Sequence, residues 1–428
     1  MNNKAVIQVF ISLIALFVGY PYGGQSFIFL MAPLLIYLIL SEDGNYFPAI
    51  MIHCASGTSI MYMAFLAMIY VCIKNYKNKI SKDFFLRLCF WLLTIISPLF
   101  LILVYQRITL DGDGLWGALG YATYYLSFWG FLYCFIIEKS MDFNPKYLIY
   151  ITFSLFLMMF IPGIKVGSFS RLAYSSIYVI QAVSVYEFLY SKQPKWIVLF
   201  VVMFILMSAN GHVLTFTEFG ITILTTILVY ASVKDKKVLL KSFSGLSYYV
   251  VIVVIIIYGS ITYQGQSILT METGVDFSSA DAFIERFRFK LFADRAPFWS
   301  ASLMQLDMIR PILPLHNIPD IVPETIYGSS MGEVSYGAHN TPLQLLRIFG
   351  FIMGGILCLL YMAMTIKASN YLTKLSKQKT IWLPYFCASL SSTLLYFLTG
   401  TSAMLCYYSL FSFGILGIAY SKYLKYKV

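Results

Sequence analysis

The sequence predicts an all-α polytopic membrane protein with one large loop outside the membrane. Composition is the first observation, because 59% of the 428 residues are hydrophobic, 11% are charged, and the mean hydropathy is +0.76. A soluble domain carries about 25% charged residues. The second observation is a recurrence of long apolar runs, and a membrane-crossing helix needs about 20 such residues. The third is a single long polar stretch at 264–340.

The apolar runs recur along the chain and are separated mostly by short connections. They predict about 12 to 13 transmembrane helices. We expect membrane helices with short loops at 1–263, a large periplasmic loop at 264–340, and three C-terminal membrane helices at 341–428. The runs lie at 5–20, 26–40, 58–73, 87–105, 118–137, 147–161, 171–190, 196–209, 219–233, 247–263, 342–366, 381–398 and 402–420.

Lysines account for most of the net charge of +11, and they lie in short connections after every second run. This spacing is the positive-inside pattern of cytoplasmic loops, so the charge does not indicate a nucleic-acid partner. It places the C-terminus in the cytoplasm and the 264–340 loop on the opposite side. The basic connections begin with Lys74, Lys77, Lys79 and Lys82 and end with Lys422, Lys425 and Lys427.

The first seventy residues leave two topologies open. Three crossings place the N-terminus outside, whereas two crossings and one short re-entrant or interfacial piece place it inside. Glu42 and Asp43 have no lysine nearby in sequence and favour an outer position for their loop, while Lys4 favours an inner N-terminus. The first run lacks an A-x-A cleavage site after it and is interpreted as a retained span. The seven scattered cysteines are expected to be buried thiols.

The strongest candidate site is the segment from His339 to Arg347. Asn340 or Thr341 can cap a helix in which Pro342 occupies the first turn. Asn340, Gln344, Arg347 and Gly354 then fall at i, i+4, i+7 and i+14 and are expected to share one face. A polar stripe on a membrane helix faces protein or water, and a helix N-terminus favours an anion. The alternative is a capping or interfacial histidine with a snorkelling arginine.

A second candidate cluster lies in the long loop. Arg295 and Trp299 follow Arg286 and Arg288, and arginines beside aromatic residues suit a pyrophosphate or a sugar. Local ion pairing with Glu285 or Asp294 is the alternative, and it is favoured for Arg286 and Arg288.

A third candidate is Arg171, which follows Gly167-Ser168-Phe169-Ser170 at the start of an apolar run. An interfacial anchor explains this arginine equally well. The four histidines (His53, His212, His316 and His339) are far apart in sequence. No metal site and no cofactor are therefore expected.

The order of Arg295, Trp299, a proline-rich stretch, His339-Asn340 and Gly350 resembles the signature region of the O-antigen polymerase and O-antigen ligase superfamily. The motif covers about sixty residues, while the arrangement of spans around one late periplasmic loop resembles the superfamily over the whole chain. A ligase-like motif has a second glycine three residues after Gly350, where this chain has Met353, and that departure favours a polymerase.

The resemblance implies a multi-pass protein of the bacterial inner membrane whose active site faces the periplasm. It implies metal-independent transfer of glycan from undecaprenyl pyrophosphate to the next lipid-linked repeat unit, with His339 and Arg295 as catalytic residues. Substrate contacts would come from Arg171, Arg286, Arg288, Asn340, Arg347 and Trp299. The implied partners are the lipid-linked oligosaccharide and the bilayer, with a chain-length regulator and a flippase as candidate protein partners.

Three other functions remain open at this point. A ligase would transfer finished polysaccharide to lipid A core by the same chemistry. A flippase or other transporter would be expected to have similar halves and charges deep in several spans, whereas this chain concentrates charge in one loop. A purely structural membrane protein would not need the polar stripe from His339 to Arg347.

Overall fold

The computed structural model describes an all-helical protein. Every regular element in the described part of the chain is a helix, so the all-α prediction is confirmed there. The described residues are 3–22, 31–55, 58–110, 112, 114–119, 122–158, 180–209, 220, 223–227, 278–288, 310–312, 340–375, 381–399 and 406–427.

The helices follow the apolar runs closely along most of the chain. They are α1 (Asn3–Tyr22), α2 (Ala32–Leu40), α3 (Phe47–Ala55), α4 (Thr58–Asn75), α5 (Phe84–Thr109), α6 (Leu115–Leu119), α7 (Ala122–Ile137), α8 (Lys146–Met158), α9 (180–191), α10 (Pro194–Ala209), α11 (Ala280–Arg288), α12 (Thr341–Leu375), α13 (Leu383–Thr399) and α14 (Cys406–Lys427). Short 3₁₀ turns cover Gly44–Tyr46 and Glu138–Ser140, and a π turn covers Tyr76–Ile80.

Two of these helices are long and apolar enough to cross a membrane by length and composition. They are Phe84–Thr109 in α5 and Thr341–Ala368 in α12. The first contains Pro98, and the second is interrupted at Gly350.

The chain forms two compact units. The first comprises Met1–Val183, Lys374–Leu390 and Met404–Val428, and the second comprises Ser184–Thr373 and Ser391–Ala403. In the second unit, the hydroxyl group of Tyr361 in α12 donates a hydrogen bond to the carbonyl oxygen of Thr393 in α13 at 2.7 Å.

The core of the first unit is built around α7, which packs against α4 and the C-terminal helix α14. Tyr125, Trp129 and Tyr133 on α7 are fully buried, and Phe128 lies against Phe413 of α14 with 5.5 Å between ring centroids. Large aromatic side chains bury much apolar surface. The C-terminal helix is therefore joined to α7 through a common aromatic core.

A buried carboxylate fixes α14 at one end of this core. Glu138 is 2% exposed and accepts hydrogen bonds from Ser421 and Lys422 at 2.9 Å each. Lys425 pairs at 2.7 Å with Oε2, the oxygen that also accepts from Ser421. Burial alone raises the pKa of the Glu138 carboxyl group, but the bonds from Lys425, Lys422 and Ser421 outweigh burial and lower the pKa below its ordinary value of 4.5.

The loop containing Glu42 lies beside the basic connection that begins at Lys74, so the two are not on opposite sides as the local charges favoured. The Glu42 carboxylate accepts hydrogen bonds from Lys74 at 3.0 Å and from Asn75 at 2.9 Å, and Lys79 lies 3.9 Å away. Ser140 also donates to the Glu42 carbonyl oxygen at 2.9 Å. The lysines that neutralise this carboxylate are distant in sequence, so a count of charges near Glu42 did not include them.

Helix α3 leads away from the contacts around Glu42, and α4 returns to them. Helix α3 begins three residues after Gly44, whose amide donates to Ser140 Oγ at 2.7 Å, and α4 ends at the Glu42 contacts. The nine residues of α3 rise about 13 Å, which is about half of a 30 Å hydrocarbon core. The structure thus has a half-length helix, α3, which lies outside the predicted apolar runs, followed by α4, which matches the run at 58–73.

Candidate functional site

The candidate site is organised by a break in α12 at Gly350. This glycine has φ 79° and ψ 175°, a backbone conformation that is essentially restricted to glycine. A Cβ atom added there would lie 2.7 Å from the carbonyl carbon and oxygen of Ile312. The break divides α12 into a short helix at 341–349, named α12a, and a long helix at 351–375, named α12b.

The two parts of α12 fold back on each other as a hairpin. The Sγ atom of Cys358 lies 3.8 Å from the carbonyl oxygen of Pro342. In one straight helix these two residues would be about 24 Å apart along the axis. Gly354 also faces Leu345 and Leu346, since an added Cβ atom would lie 2.9 Å from Leu346 Cα. Helix α12a therefore runs antiparallel to the first half of α12b.

A segment of the predicted long loop is bound at the bend. The carbonyl oxygen of Arg310 accepts a hydrogen bond from the Phe351 amide at 3.1 Å. The carbonyl oxygen of Pro311 accepts from the Ile352 amide at 2.6 Å. First-turn amides of a helix have no partner within the helix, so these two carbonyl groups cap α12b from outside. The loop and the hairpin are thereby held together at Gly350.

Asn340 caps the other end of α12a. Its Oδ1 atom accepts a hydrogen bond from the Leu343 amide at 3.1 Å, and its carbonyl oxygen accepts from the Gln344 amide at 2.9 Å. The prediction that Asn340 or Thr341 caps this helix is confirmed, with Asn340 in that role. Thr341 is completely buried.

Arg347 lies on α12a and is 6% exposed. A straight helix would place it about two turns beyond Asn340. In the hairpin, α12a runs back along α12b, so Arg347 is close to the bend and Asn340 lies near the level of Cys358.

Gly354 does not continue the polar face of Asn340, Gln344 and Arg347, because it lies on α12b beyond the break. That part of the prediction is wrong, and the glycine instead allows the two helices to approach closely.

The second predicted cluster is partly described. Helix α11 begins after Ser279, whose Oγ atom accepts a hydrogen bond from the Ala282 amide at 3.0 Å. Arg288 lies 3.8 Å from Glu285 on the same helix, and both side chains are substantially exposed. For Arg288 the structure therefore has the local ion pair that the sequence offered as an alternative. Arg286 lies on the same helix.

Four of the predicted site residues lie outside the described residues. They are His339, Arg295, Trp299 and Arg171. Among those that are described, Asn340 caps α12a and Arg347 lies on α12a about two turns away. No group of three or more metal-ligating side chains is found within the described part of the chain.

A buried serine and histidine in the first unit resemble a nucleophile and its base. Ser12 Oγ lies 2.7 Å from His53 Nε2, and it also donates to the Gln8 carbonyl oxygen at 2.7 Å. A serine hydroxyl group has one proton, so a serine that donates to Gln8 accepts from the imidazole. The imidazole is then not the base, and we interpret the pair as a structural link between α1 and α3.

The sequence did not single out the bend or its loop segment as structural features. Gly350 entered only as part of a motif, and Arg310 carried no signal of its own. A glycine pair at Gly354 and Gly355 shortly after Gly350 is the feature that favours a bend or a close helix contact here.

Comparison of the chain with family models, with curated proteins and with solved structures gave no match.

Proposed function

We propose that this chain is a membrane glycosyltransferase of the O-antigen polymerase type. It would transfer a glycan from undecaprenyl pyrophosphate to the next lipid-linked repeat unit at the periplasmic face of the bacterial inner membrane. The proposal rests on the order of Arg295, Trp299, His339-Asn340 and Gly350 in the sequence. The structural observation that supports it best is a buried Arg347 on a short helix that ends at Gly350.

The proposed membrane arrangement has about 12 to 13 crossings, with the basic connections in the cytoplasm. In that arrangement α12b ends near Lys367 and Lys374 on the cytoplasmic side, and Gly350 lies toward the periplasm. The Asn340 end of α12a would then lie about 12 Å inward from Gly350. A polar helix start at that depth is tolerated only where it borders protein or a water-filled cavity. This requirement favours a site inside the protein.

The proposed reaction is a substitution at the anomeric carbon of the donor glycan. A hydroxyl oxygen of the acceptor sugar forms the new bond, and its proton passes to His339. The bond from the anomeric carbon to the pyrophosphate oxygen breaks, and undecaprenyl pyrophosphate leaves with the electron pair. Arg295 and Arg347 would stabilise the charge that develops on the leaving group, because a guanidinium group can hold two phosphate oxygens.

The position of Arg347 is compatible with this assignment. It is 6% exposed and lies on α12a, close to the bend that the 310–312 segment caps. A guanidinium group at such a position can bind phosphate oxygens. The hairpin also gives the guanidinium group a fixed position relative to the 310–312 segment, which the hydrogen bonds to Phe351 and Ile352 hold at the bend.

The polymer phenotype of a deletion strain tests the proposed function and its ligase alternative. Loss of a polymerase leaves a single repeat unit on the lipid A core. Loss of a ligase leaves polymer that is not joined to the core. An unchanged surface polysaccharide would contradict both assignments.

Purified protein tests the residue roles directly. The His339→Gln variant should lose about 10² to 10⁴ in the rate of polymerisation of lipid-linked repeat units, because glutamine cannot accept the proton. His316→Gln is the matched control, since it changes another histidine of the same loop and should retain the wild-type rate. A His339→Gln variant with an unchanged rate would contradict base catalysis by this residue.

A further inference from the structure

A second arginine, Arg310, lies at the Gly350 bend on the loop segment that caps α12b. Its carbonyl oxygen accepts the hydrogen bond from the Phe351 amide at 3.1 Å. The same oxygen would lie 2.8 Å from a Cβ atom added to Gly350, so the backbones are in direct contact. The position of Arg310 is therefore fixed by its main chain, and its side chain takes no part in this fixation.

The guanidinium group of Arg310 has no structural partner in the described part of the chain. The residue is exposed, and its side chain forms no hydrogen bond or ion pair with another described residue. Arg288 in the same predicted loop is different, because it lies 3.8 Å from Glu285 on its own helix. Arginine is always charged and has five N–H donors. Arg310 thus presents an unused cation at a fixed point of the bend.

Arg310 and Arg347 are close enough to contact one ligand. Both lie in the second compact unit, and Arg347 is three residues before Gly350 on α12a. Three residues of helix rise about 4.5 Å, which is less than the length of an extended arginine side chain. Arg310 is joined to the residue that follows Gly350. Two guanidinium groups, one exposed and one buried, can therefore meet at the bend.

The charge of the segments that form the bend and the hairpin favours an anion. Residues 310–312 and 340–355 contain two arginines and no aspartate or glutamate. Each guanidinium group can hold two oxygens of one phosphate group. A ligand with two linked phosphate groups therefore matches two arginines better than a single phosphate does. Asp307, the nearest acidic residue in sequence to Arg310, lies outside the described residues.

We propose that Arg310 and Arg347 bind the diphosphate group of the lipid carrier at the Gly350 bend, each holding one phosphate. Arg310 is then a substrate-binding residue whose position depends on the bond from Phe351 to its carbonyl oxygen. The identity of the ligand rests on the proposed function, in which undecaprenyl pyrophosphate is the leaving group. In the proposed membrane arrangement the bend is the outward end of the hairpin, where that diphosphate would lie.

Titration of undecaprenyl pyrophosphate into the full-length protein in phosphatidylcholine nanodiscs tests the site. Arg310→Gln should weaken the affinity about tenfold, because charged hydrogen bonds to one phosphate are lost. The variant retains the carbonyl group that caps α12b, so its unfolding temperature without ligand should equal that of the wild type. Arg107→Gln is the control, since it removes an arginine at the end of α5 and should retain the wild-type affinity. Undecaprenyl monophosphate, which has a single phosphate, should lose less than about twofold in affinity for Arg310→Gln.

Hydrogen exchange gives a second measurement at the bend itself. A ligand held by both arginines joins the loop segment to the hairpin, and binding stabilises the arrangement that it requires. Undecaprenyl pyrophosphate should therefore slow exchange of the Phe351 and Ile352 amides, which donate to the loop. This slowing should be absent in Arg310→Gln. A purely structural arginine would leave the ligand-dependent change intact.

Three outcomes would overturn the proposal. One is an unchanged affinity for undecaprenyl pyrophosphate in Arg310→Gln. Another is an equal loss of affinity in Asp307→Asn, which would assign Arg310 to an ion pair with Asp307. The third is displacement of the ligand by phosphatidylglycerol, which would indicate a general phosphate site, whereas displacement by inorganic pyrophosphate would support recognition of the diphosphate.

Polymerisation is measured with the same variants. Binding that depends on Arg310 in a chain without polymerisation would support this site and contradict the proposed function. Normal polymerisation with unchanged binding in Arg310→Gln would contradict the site alone.

Discussion

At the scale of single residues, the polar contacts with the clearest energetic consequence lie in the first compact unit. Glu138 is buried, and its carboxylate is matched by Lys422 and Lys425 from the other end of the chain. Removing one partner of a buried ion pair costs about 3 to 5 kcal/mol. The lysine side chains are 22% and 45% exposed, so solvent screening reduces that cost.

We expect Glu138→Gln to destabilise the first unit by about 2 kcal/mol, because two ammonium groups then lose their counter-charge. Thermal unfolding of the purified protein in detergent measures the change. Asp142→Asn is the control, since it removes an exposed carboxylate from the connection that follows Glu138 and should have little effect. Equal destabilisation by both variants would contradict a specific role for Glu138.

The same residue predicts a dependence of stability on pH. Its pKa is lower in the folded protein than its ordinary value of 4.5, so the unfolded chain binds more protons near that pH. The stabilisation is therefore complete well above pH 4.5 and is lost as the pH falls through the pKa of the folded state. The unfolding temperature of the wild-type protein should fall more steeply below pH 4.5 than that of Glu138→Gln. Parallel curves for the two proteins would rule out this contribution.

Residue types and local spacing were sufficient to find some of these residues and insufficient for others. The proline and asparagine at the start of α12 predicted its cap, and the polar spacing selected Arg347. Glu42 and Glu138 could not be found in the same way, because Glu42 meets Lys74 across 32 positions and Glu138 meets Lys422 across 284. Such pairs depend on how the helices assemble, which local periodicity does not encode.

At the scale of helices, the hairpin of α12 is the main departure from the sequence-based prediction. Hydropathy alone makes the run from 342 to 366 one crossing, because the residues on both sides of Gly350 are apolar. Hydropathy does not register the backbone angles at one glycine or the two carbonyl groups that replace the missing helical bonds. Most of the other described helices followed the runs, and α3 is an exception because it lies between two of them.

Gly350→Ala should disrupt the hairpin. Alanine at this backbone conformation costs about 1 to 3 kcal/mol, and its Cβ atom would also overlap the Ile312 carbonyl group. Gly355→Ala is a close control, because this glycine lies on α12b with nothing within 4 Å of an added Cβ. It should be neutral or stabilising by up to about 1 kcal/mol. Unfolding temperature and polymerisation rate should both fall for Gly350→Ala alone, and equal values for the two variants would contradict the bend.

At the scale of the whole molecule, the proposed chemistry is possible only if each connection lies on the required side of the membrane. The long loop with His339 and Arg295 must face the periplasm, where the lipid-linked repeat units are polymerised under the proposed function. The pairing of Glu42 with Lys74 ties the first acidic loop to the connection that the proposed orientation places in the cytoplasm. One measurement of sidedness therefore tests the proposed orientation and the Glu42 contacts together.

Single cysteines in a cysteine-free background provide that measurement in intact cells. An impermeant thiol reagent should label Ser279→Cys, in the long loop, and should not label Ser81→Cys in the basic connection. Ser41→Cys should behave like Ser81→Cys, because the adjacent Glu42 bonds to Lys74 and Asn75 at the end of α4. All three should react after the membrane is permeabilised, which controls for buried thiols. Different labelling of Ser41→Cys and Ser81→Cys in intact cells would contradict the Glu42 contacts. Labelling of both with Ser279→Cys protected would invert the membrane orientation and remove the proposed catalytic loop from its substrate.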